Sequence, residues 1–241
     1  MLDRYRLLAR VGRGGMGVVW RAHDSLLRRD VAIKVLVSGN DRAVLREARA
    51  AARLTHPSIV TVYDVAPSGD NLWIVMELVH ESVTLSEMVS RLGPLPAPVV
   101  TRIARSLLSA LSHAHDKGVL HRDVNPHNVL LASDRVVLID FGIAAPVGRA
   151  SSAVAGTPGY IAPERYGGGP HTAAADLWSL GATLYTAMES RPPCVAPDPT
   201  ADPGPSGLLG RVVGGLLTDD PYSRLSARAA LSALASAKDP V

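Results

Sequence analysis

The chain has 241 residues, of which 47% are hydrophobic and 20% are charged, so it can bury a sizeable core and is not disordered by composition. Its single cysteine, Cys194, excludes a disulfide framework and a cysteine-ligated zinc site. The net charge of +3 is too small to indicate a nucleic-acid-binding groove. Only three of the 25 cationic residues are lysines, namely Lys34, Lys117 and Lys238, so a function that needs an ammonium group has few candidates.

The first eighty residues are predicted to be mainly β-strands, because β-branched runs alternate with Gly, Asp, Ser and Pro turn signals. One Ala- and Arg-rich helix interrupts the strands, and the proline after His56 limits its length. The predicted strands are Tyr5–Val11, Val18–His23, Val31–Val37, Ile59–Val65 and Leu72–Val79, and the predicted helix is Asp41–Leu54.

The rest of the chain is predicted to be mainly helical. Thr84 and Glu87 form the sequence pattern of a capping box, and Gly118 ends the longest helical pattern. The predicted helices are Pro98–Lys117, Asp176–Ser190 and Ser226–Ala237, with a strand at Val136–Ile139 and a proline-rich extended loop at Arg191–Gly207. We therefore predict an α+β fold with a β-rich unit over residues 1–80 and an α-rich unit over residues 81–241.

No targeting or membrane segment is expected in this sequence. The first ten residues lack the apolar core of a signal peptide, and the apolar runs are shorter than the ~20 residues of a membrane span. We expect a cytoplasmic protein, or the cytosolic domain of a longer membrane-anchored one.

Three glycines between the first two predicted strands form the pattern Gly12-x-Gly14-x-x-Gly17, followed by Val19. Without β-carbons the backbone can fold over phosphates with its N–H groups pointing inward. A dinucleotide site needs a helix directly after the glycines, and a strand pattern follows here, which favours a nucleoside triphosphate. A glycine-rich hairpin with no ligand is the alternative.

Lys34 lies on the third predicted strand, on the same face as Ala32. A lysine among apolar residues of a central strand is costly unless it is paired, and Glu47 on the following helix is the predicted partner. The alternative is a surface lysine whose stem covers apolar residues.

Asp123, Asn128 and Asp140 have the spacing expected for Mg²⁺-assisted phosphoryl transfer. One carboxylate would accept the proton of a substrate hydroxyl, while an amide oxygen and the second carboxylate would hold the metal.

Together these motifs make the sequence similar to the catalytic domains of bacterial serine/threonine protein kinases of the eukaryotic type. The resemblance covers nearly the whole chain, and further motifs carry it. These are His56–Val60, Val75–Val79, His121–Asp123, Asp140–Gly142, Gly156–Glu164 and Asp176–Gly181, with Arg224.

The resemblance implies a bilobal kinase fold, ATP and Mg²⁺ as cofactors, and a role for each motif residue. Lys34 and Glu47 would position the phosphates, Asp123 would orient the substrate hydroxyl, and Asn128 and Asp140 would hold Mg²⁺. The nucleotide-binding residues implied are Gly12, Gly14, Gly17, Val19, Ala32, Lys34, Met76, Glu77, Val79 and Leu130.

Within that set the resemblance makes Met76 the gatekeeper and assigns the adenine edge to the backbone of Glu77 and Val79. The adenine ring would lie between Val19, Ala32 and Leu130. A structural ion pair between Glu164 and Arg224 is implied as well.

Two positions depart from the family. The catalytic loop has Asn125 where these kinases have a lysine that contacts the γ-phosphate, so Asn125 would make that contact without its positive charge. Loss of one preorganised donor typically costs about 10²–10³ in rate. The Pro192–Gly207 segment replaces a docking helix, and Cys194 stands where phenylalanine is common.

The activation segment offers Ser151, Ser152 and Thr157 as candidate phosphorylation sites, with Arg122 as the partner of an activation-loop phosphate. A solvated serine-rich loop is the alternative for the two serines, and the hydroxyl of Thr157 is expected to order the region around Asp123. Among the histidines, His121 is expected to be structural.

These observations predict a non-specific serine/threonine protein kinase that acts on proteins, itself included through trans-autophosphorylation, with a homodimer as a compatible assembly. Two alternatives stay open. A pseudokinase would bind nucleotide as a signalling scaffold, as Asn125 and the altered docking loop suggest. A small-molecule phosphotransferase shares the His-x-Asp-x-x-x-x-Asn pattern, but it does not require Gly156–Pro158 or Ala162–Glu164.

Overall fold

Five antiparallel strands form the N-terminal sheet of the computed structural model, which describes residues 4–14, 17–37, 42–68, 71–141, 156–193 and 207–236. The strand order is β1-β2-β3-β5-β4, with one helix between β3 and β4. The elements are β1 (Tyr5–Gly14), β2 (Gly17–Asp24), β3 (Arg29–Val37), α1 (Arg42–Ala51), β4 (Val62–Ser68) and β5 (Asn71–Glu77).

Side chains along β3 point alternately to the two faces of the sheet, and this places Lys34 on the face that the sequence predicts. Val31 and Ile33 pack into one buried cluster, while Ala32 belongs to a different cluster with Met76. Because successive side chains of a strand point to opposite faces, Lys34 lies on the face of Ala32.

Helices build most of the second lobe, together with a small antiparallel sheet of order β6-β7-β8. Its elements are β6 (Val83–Thr84), α2 (Leu85–Leu92), α3 (Ala97–Asp116), β7 (Val129–Leu131), β8 (Val136–Leu138), α4 (Pro163–Tyr166), α5 (Ala173–Glu189), α6 (Gly207–Leu216) and α7 (Ala227–Ala235). The lobe is organised around α3, whose fully buried leucines and isoleucine meet α5 and α7. Neither these helices nor α1 is long and apolar enough, within the described ranges, to span a membrane.

The capping box is confirmed at the start of α2. The backbone N–H of Glu87 donates to Thr84 Oγ1 at 3.0 Å, and the backbone N–H of Thr84 donates to Glu87 Oε2 at 2.8 Å. Two N–H groups that the helix cannot satisfy thereby find partners.

The segment between α1 and β4 connects the two lobes. Its predicted strand begins at Val62 rather than at Ile59, because Val60 N–H donates to Leu138 O at 3.1 Å and Leu138 N–H donates to Ser58 O at 2.9 Å. The residues before Val62 are therefore hydrogen-bonded to β8 of the helical lobe.

Helix α6 is not among the predicted helices. Its four glycines lower helix propensity, but Leu209, Val212, Val213 and Leu216 follow an i, i+3, i+4, i+7 pattern and are all buried. The neighbouring helix α5 has a glycine, Gly181, where it packs closely against α6. A β-carbon at Gly181 would lie 2.9 Å from Leu216 Cβ. Tertiary packing thus outweighs local propensity here.

Candidate active site

The glycine motif lies at the end of the β1–β2 hairpin, where Gly14 pairs with Gly17. Gly17 has φ of 154°, and a β-carbon there would lie 2.2 Å from the carbonyl oxygen of Val35, so protein packing requires this glycine. A β-carbon at Gly12 would meet no described atom within 4 Å. Space is therefore available above Gly12 for a phosphate chain to approach the backbone.

An apolar cluster brings together the side chains that the sequence assigned to the adenine ring. Ala32, Met76 and Val79 are buried in it, with the partly buried Val19 and Leu130 packed against them. These residues come from both lobes, so the cluster forms an apolar surface where the two lobes meet.

Lys34 is buried, and its Nζ lies 2.9 Å from Asp140 Oδ2. Asp140 has φ of 65°, a left-handed conformation that a non-glycine residue adopts at a cost. Asp140, in this strained backbone conformation, thus supplies the carboxylate that pairs with the buried ammonium group of Lys34.

The predicted ion pair between Lys34 and Glu47 is not formed in this structure, where each of the two residues has another partner. Glu47 Oε1 pairs with the guanidinium of Arg122, the residue directly before Asp123, which is the candidate base. The buried Glu47 Oε2 has no hydrogen-bond partner among the described residues. A buried lysine needs one close carboxylate, and sequence spacing cannot tell which of two carboxylates the position of α1 will bring closer.

Asp123 and Asn128 are joined by two hydrogen bonds. Asn128 Nδ2 donates to the carbonyl oxygen of Asp123 at 2.8 Å and to Asp123 Oδ2 at 3.1 Å. Ile139 N–H donates to the carbonyl oxygen of Asn128 at 3.0 Å, which brings Asn128 next to the segment that carries Asp140. Asn128 Oδ1 accepts no hydrogen bond from the described residues, so it remains available to a hard cation.

The residues present fit Mg²⁺ of a nucleotide complex better than a protein-only metal centre. The described residues contain no group of three or more His, Cys, Asp or Glu side chains that could hold a metal ion. Asn128 and Asp140 offer oxygen ligands, and Mg²⁺ commonly binds one or two protein oxygens together with substrate phosphates.

The side-chain amide of Asn125 is hydrogen-bonded entirely to other groups of the protein. The side chain is 2% exposed, and its Nδ2 donates to the carbonyl oxygen of Asp123 and to Thr157 Oγ1, both at 3.1 Å. Its Oδ1 accepts the N–H of His127 at 2.9 Å and caps the single 3₁₀ turn Pro126–Asn128. An asparagine before a proline is a turn signal, and that signal could have indicated this role.

Thr157 contacts the candidate base directly. Its hydroxyl lies 2.8 Å from Asp123 Oδ1, and its backbone N–H donates to the same oxygen at 3.2 Å. The expectation that Thr157 orders the region around Asp123 is confirmed. Ser151, Ser152 and Cys194 lie outside the described residues.

His121 is fully buried and structural, as expected. Its Nδ1 accepts the N–H of Asp123 at 3.2 Å, its Nε2 lies 2.8 Å from the carbonyl oxygen of Ile139, and its ring packs edge-on against Phe141. Burial lowers the pKa of His121, more than the nearby carboxylates raise it. A neutral imidazole thus joins the catalytic loop to the segment that carries Asp140.

Sequence reasoning quoted Asp176 only as part of a family motif and gave it no role. In the structure this fully buried carboxylate accepts hydrogen bonds from the backbone N–H groups of His121 and Arg122, both at 2.8 Å. The Nε2 atoms of His115 and His171 lie 2.8 and 2.9 Å from it. Burial disfavours its ionised form, but these hydrogen bonds outweigh burial and lower its pKa.

The Asp176 carboxylate also fixes the backbone conformation of Arg122. Its φ is 72°, again left-handed, and Asp176 Oδ1 accepts its backbone N–H. The signal that could have revealed Asp176 is an acid inside an otherwise apolar helical run, because a buried carboxylate must find donors.

The ion pair between Glu164 and Arg224 is confirmed as a bidentate contact at 2.8 and 2.9 Å. Arg224 also donates to three backbone carbonyls. The pKa of Glu164 is lowered, because the hydrogen bond from Arg224 outweighs the opposing effect of burial.

Comparisons with known proteins agree with this arrangement. The family model described as protein kinase domain matches residues 5–203. The serine/threonine-protein kinase PrkC of Bacillus subtilis is 37% identical over 201 residues, which are 79% of this chain and 31% of the relative. The serine/threonine-protein kinase PknB of Mycobacterium tuberculosis is 38% identical over 216 residues, 83% of this chain and 34% of the relative. The chain therefore spans about a third of the length of these curated relatives.

A solved structure shows the same fold. The crystal structure of the Mycobacterium tuberculosis PknI kinase domain superimposes with a TM-score of 0.77 at 30% identity, covering 96% of this chain and 95% of that one. The α+β bilobal fold is therefore confirmed, and the chain belongs to the protein kinase family.

Proposed function

We propose that the chain is an ATP- and Mg²⁺-dependent serine/threonine protein kinase that transfers the γ-phosphate of ATP to protein hydroxyls, its own included. One observation carries the proposal: Lys34, Asp123, Asn128 and Asp140 converge between the lobes, beside an apolar cluster built from both lobes. The relatives named as serine/threonine-protein kinases support the choice of protein hydroxyls as acceptors.

In the proposed reaction the substrate hydroxyl oxygen forms a bond to the γ-phosphorus, while the bond to the β,γ-bridging oxygen breaks and ADP leaves. Asp123 orients the hydroxyl and accepts its proton. Asn128 Oδ1 and the Asp140 carboxylate would hold Mg²⁺, which neutralises phosphate charge when bound. Lys34 would donate to phosphate oxygens and thereby exclude misaligned poses.

Activation is proposed to exchange ion-pair partners. Glu47 would leave Arg122 and pair with Lys34, which places a carboxylate oxygen beside the ammonium and gives Glu47 Oε2 a partner. A phosphate on Ser151 or Ser152 would compete with Glu47 for Arg122, because a phosphate carries about −1.5 to −2 charge at pH 7.

The test is mass spectrometry of the purified protein after incubation with Mg-ATP, with and without a basic acceptor protein. Asp123→Asn should lower kcat by about 10²–10⁴-fold, since it removes the proton acceptor. The matched control is Asp134→Asn, the same chemical change at an exposed position of the β7–β8 turn.

We expect the control to leave turnover unchanged. If wild-type protein binds ATP but turns over no faster than Asp123→Asn, the kinase proposal is wrong and a nucleotide-binding scaffold becomes the better function.

A further inference from the structure

Asn125 occupies a closed position between the catalytic loop and the activation segment. Its side chain is 2% exposed, and every hydrogen-bonding atom of its amide already has a partner. The partners are the carbonyl oxygen of Asp123, the hydroxyl of Thr157 and the N–H of His127. An amide used in this way has no donor left for a nucleotide phosphate.

The chemistry of Asn125, Thr157 and Asp123 fixes which atom is the donor in each hydrogen bond between them. Because Asn125 Oδ1 accepts the backbone N–H of His127, the donating Nδ2 must face Thr157. An ionised carboxylate only accepts, and an amide nitrogen only donates. The single hydroxyl proton of Thr157 therefore points to Asp123 Oδ1, at 2.8 Å, while its lone pair accepts from Asn125, at 3.1 Å.

This order makes a short chain of donors that ends on the candidate base. The amide of Asn125 holds the Thr157 hydroxyl in the one rotation that donates to Asp123, and hydrogen bonds arranged in series strengthen one another. Asp123 Oδ1 is occupied by the hydroxyl and the backbone N–H of Thr157, and Oδ2 accepts from Asn128. The plane of the carboxylate is thereby fixed from both sides.

We infer that Asn125 is a positioning residue, which acts on Asp123 through the Thr157 hydroxyl, and that it makes no contact with the transferred phosphate. This inference rests on the proposed kinase function for its kinetic readout. It replaces the contact that the family resemblance assigns to this position. The same amide closes the Pro126–Asn128 turn and couples the activation segment to the catalytic loop.

Three single variants test this series of hydrogen bonds first. Asn125→Asp keeps the oxygen that caps His127 but removes both donors, and Thr157→Val removes the hydroxyl while it keeps the shape. Each should lower kcat by about 10- to 100-fold, because displacement of a catalytic group by about 1 Å has effects of this size. KM for ATP should change by less than about threefold, because neither residue is placed at the nucleotide. Thr157→Ser restores the hydroxyl and should recover most of the wild-type kcat.

Coupling between the two residues gives the second readout. If Asn125 acts through Thr157, the double variant Asn125→Asp/Thr157→Val should be no slower than the slower single variant. Asn125→Lys replaces the cap with a group that cannot accept from His127, so kcat should not exceed the wild-type value. Asn71→Asp makes the same change in charge at the start of β5 and should behave as wild type.

Additive losses in the double variant, or a higher kcat in Asn125→Lys, would overturn the inference in favour of a phosphate contact. Hydrogen–deuterium exchange decides the case even if the wild-type protein transfers no phosphate. Exchange in residues 123–128 and 156–161 should accelerate in Asn125→Asp and Thr157→Val, and stay at the wild-type rate in Thr157→Ser and Asn71→Asp. Unchanged exchange in the first two variants contradicts the inference whatever the fate of the proposed function.

Discussion

Two partly buried glutamates, Glu164 and Glu47, each pair with an arginine, and they differ in how many of their carboxylate oxygens have a hydrogen-bond partner. Glu164 uses both oxygens on Arg224, whose side chain is 1% exposed and also donates to three backbone carbonyls. Glu47 uses one oxygen on Arg122, whose side chain is 37% exposed, while its second oxygen is buried without a partner among the described residues.

This difference indicates a structural role for the Glu164–Arg224 pair and favours the proposed exchange of partners at the Glu47–Arg122 pair. Removing either partner of a saturated buried pair strands a charge and several hydrogen-bonding groups, so that pair favours a single arrangement. A half-satisfied pair with a hydrated arginine loses little when it opens, and the free oxygen of Glu47 gains from a new donor. Opening the Glu47–Arg122 pair should therefore cost less free energy than opening the Glu164–Arg224 pair.

The largest stability effect is expected at the saturated pair. Arg224→Ala should lower the free energy of unfolding by about 3–5 kcal/mol, because the partly buried Glu164 and three backbone carbonyls lose the donor that pairs with them. Urea denaturation measures the effect, with the exposed Arg228→Ala on α7 as the control. A loss similar to that of the control would show that the pair is not structural.

An intermediate effect on stability is expected, as the pH falls, from the buried His121 and the partly buried His56. Burial lowers the pKa of both His56 and His121, so the unfolded chain binds more protons than the folded one below pH ~6.5. Stability should be complete above that pH and fall as the pH is lowered from 7.5 to 5.5, with the fully buried His121 contributing most.

Buried carboxylates do not account for this window. Their pKa values are lowered, as for Asp24, whose pKa the hydrogen bond from Arg4 brings to about 2, so their contribution is lost only at much lower pH. Urea denaturation at several pH values is the measurement. His56→Gln should flatten the slope, whereas the exposed His80→Gln should not, and a flat wild-type profile would contradict the assignment.

The smallest stability effect is expected at the half-satisfied pair. Glu47→Gln should change the free energy of unfolding by less than about 1 kcal/mol, since partly exposed ion pairs contribute little. It should nevertheless lower kcat by at least about 10-fold, because Lys34 would lose the partner that the proposed activation gives it. Unfolding and steady-state kinetics on the same protein separate the two effects, with the exposed Glu81→Gln as the control. Unchanged kcat would show that Glu47 does not exchange partners.

Prediction from the sequence succeeded where the local pattern and the tertiary contact agree. The alternation around Lys34 and the capping box of Thr84 and Glu87 depend on neighbours in the chain, and both are confirmed. Helix α6 was missed because its glycines lower local propensity while its buried face needs the lobe around it. The domain boundary near residue 80 stays a prediction, as do the roles of Ser151 and Ser152.

The sequence by itself determined the family, the α+β fold and the identity of the residues that meet between the lobes, because spacing and residue type carry that information. Only the tertiary structure decided how those residues pair. Lys34 pairs with Asp140, Glu47 pairs with Arg122, and the amide of Asn125 donates to the hydroxyl of Thr157. The physical reason is that a buried charge or amide pairs with a complementary group close to it. Which group is close depends on how segments distant in the sequence pack together.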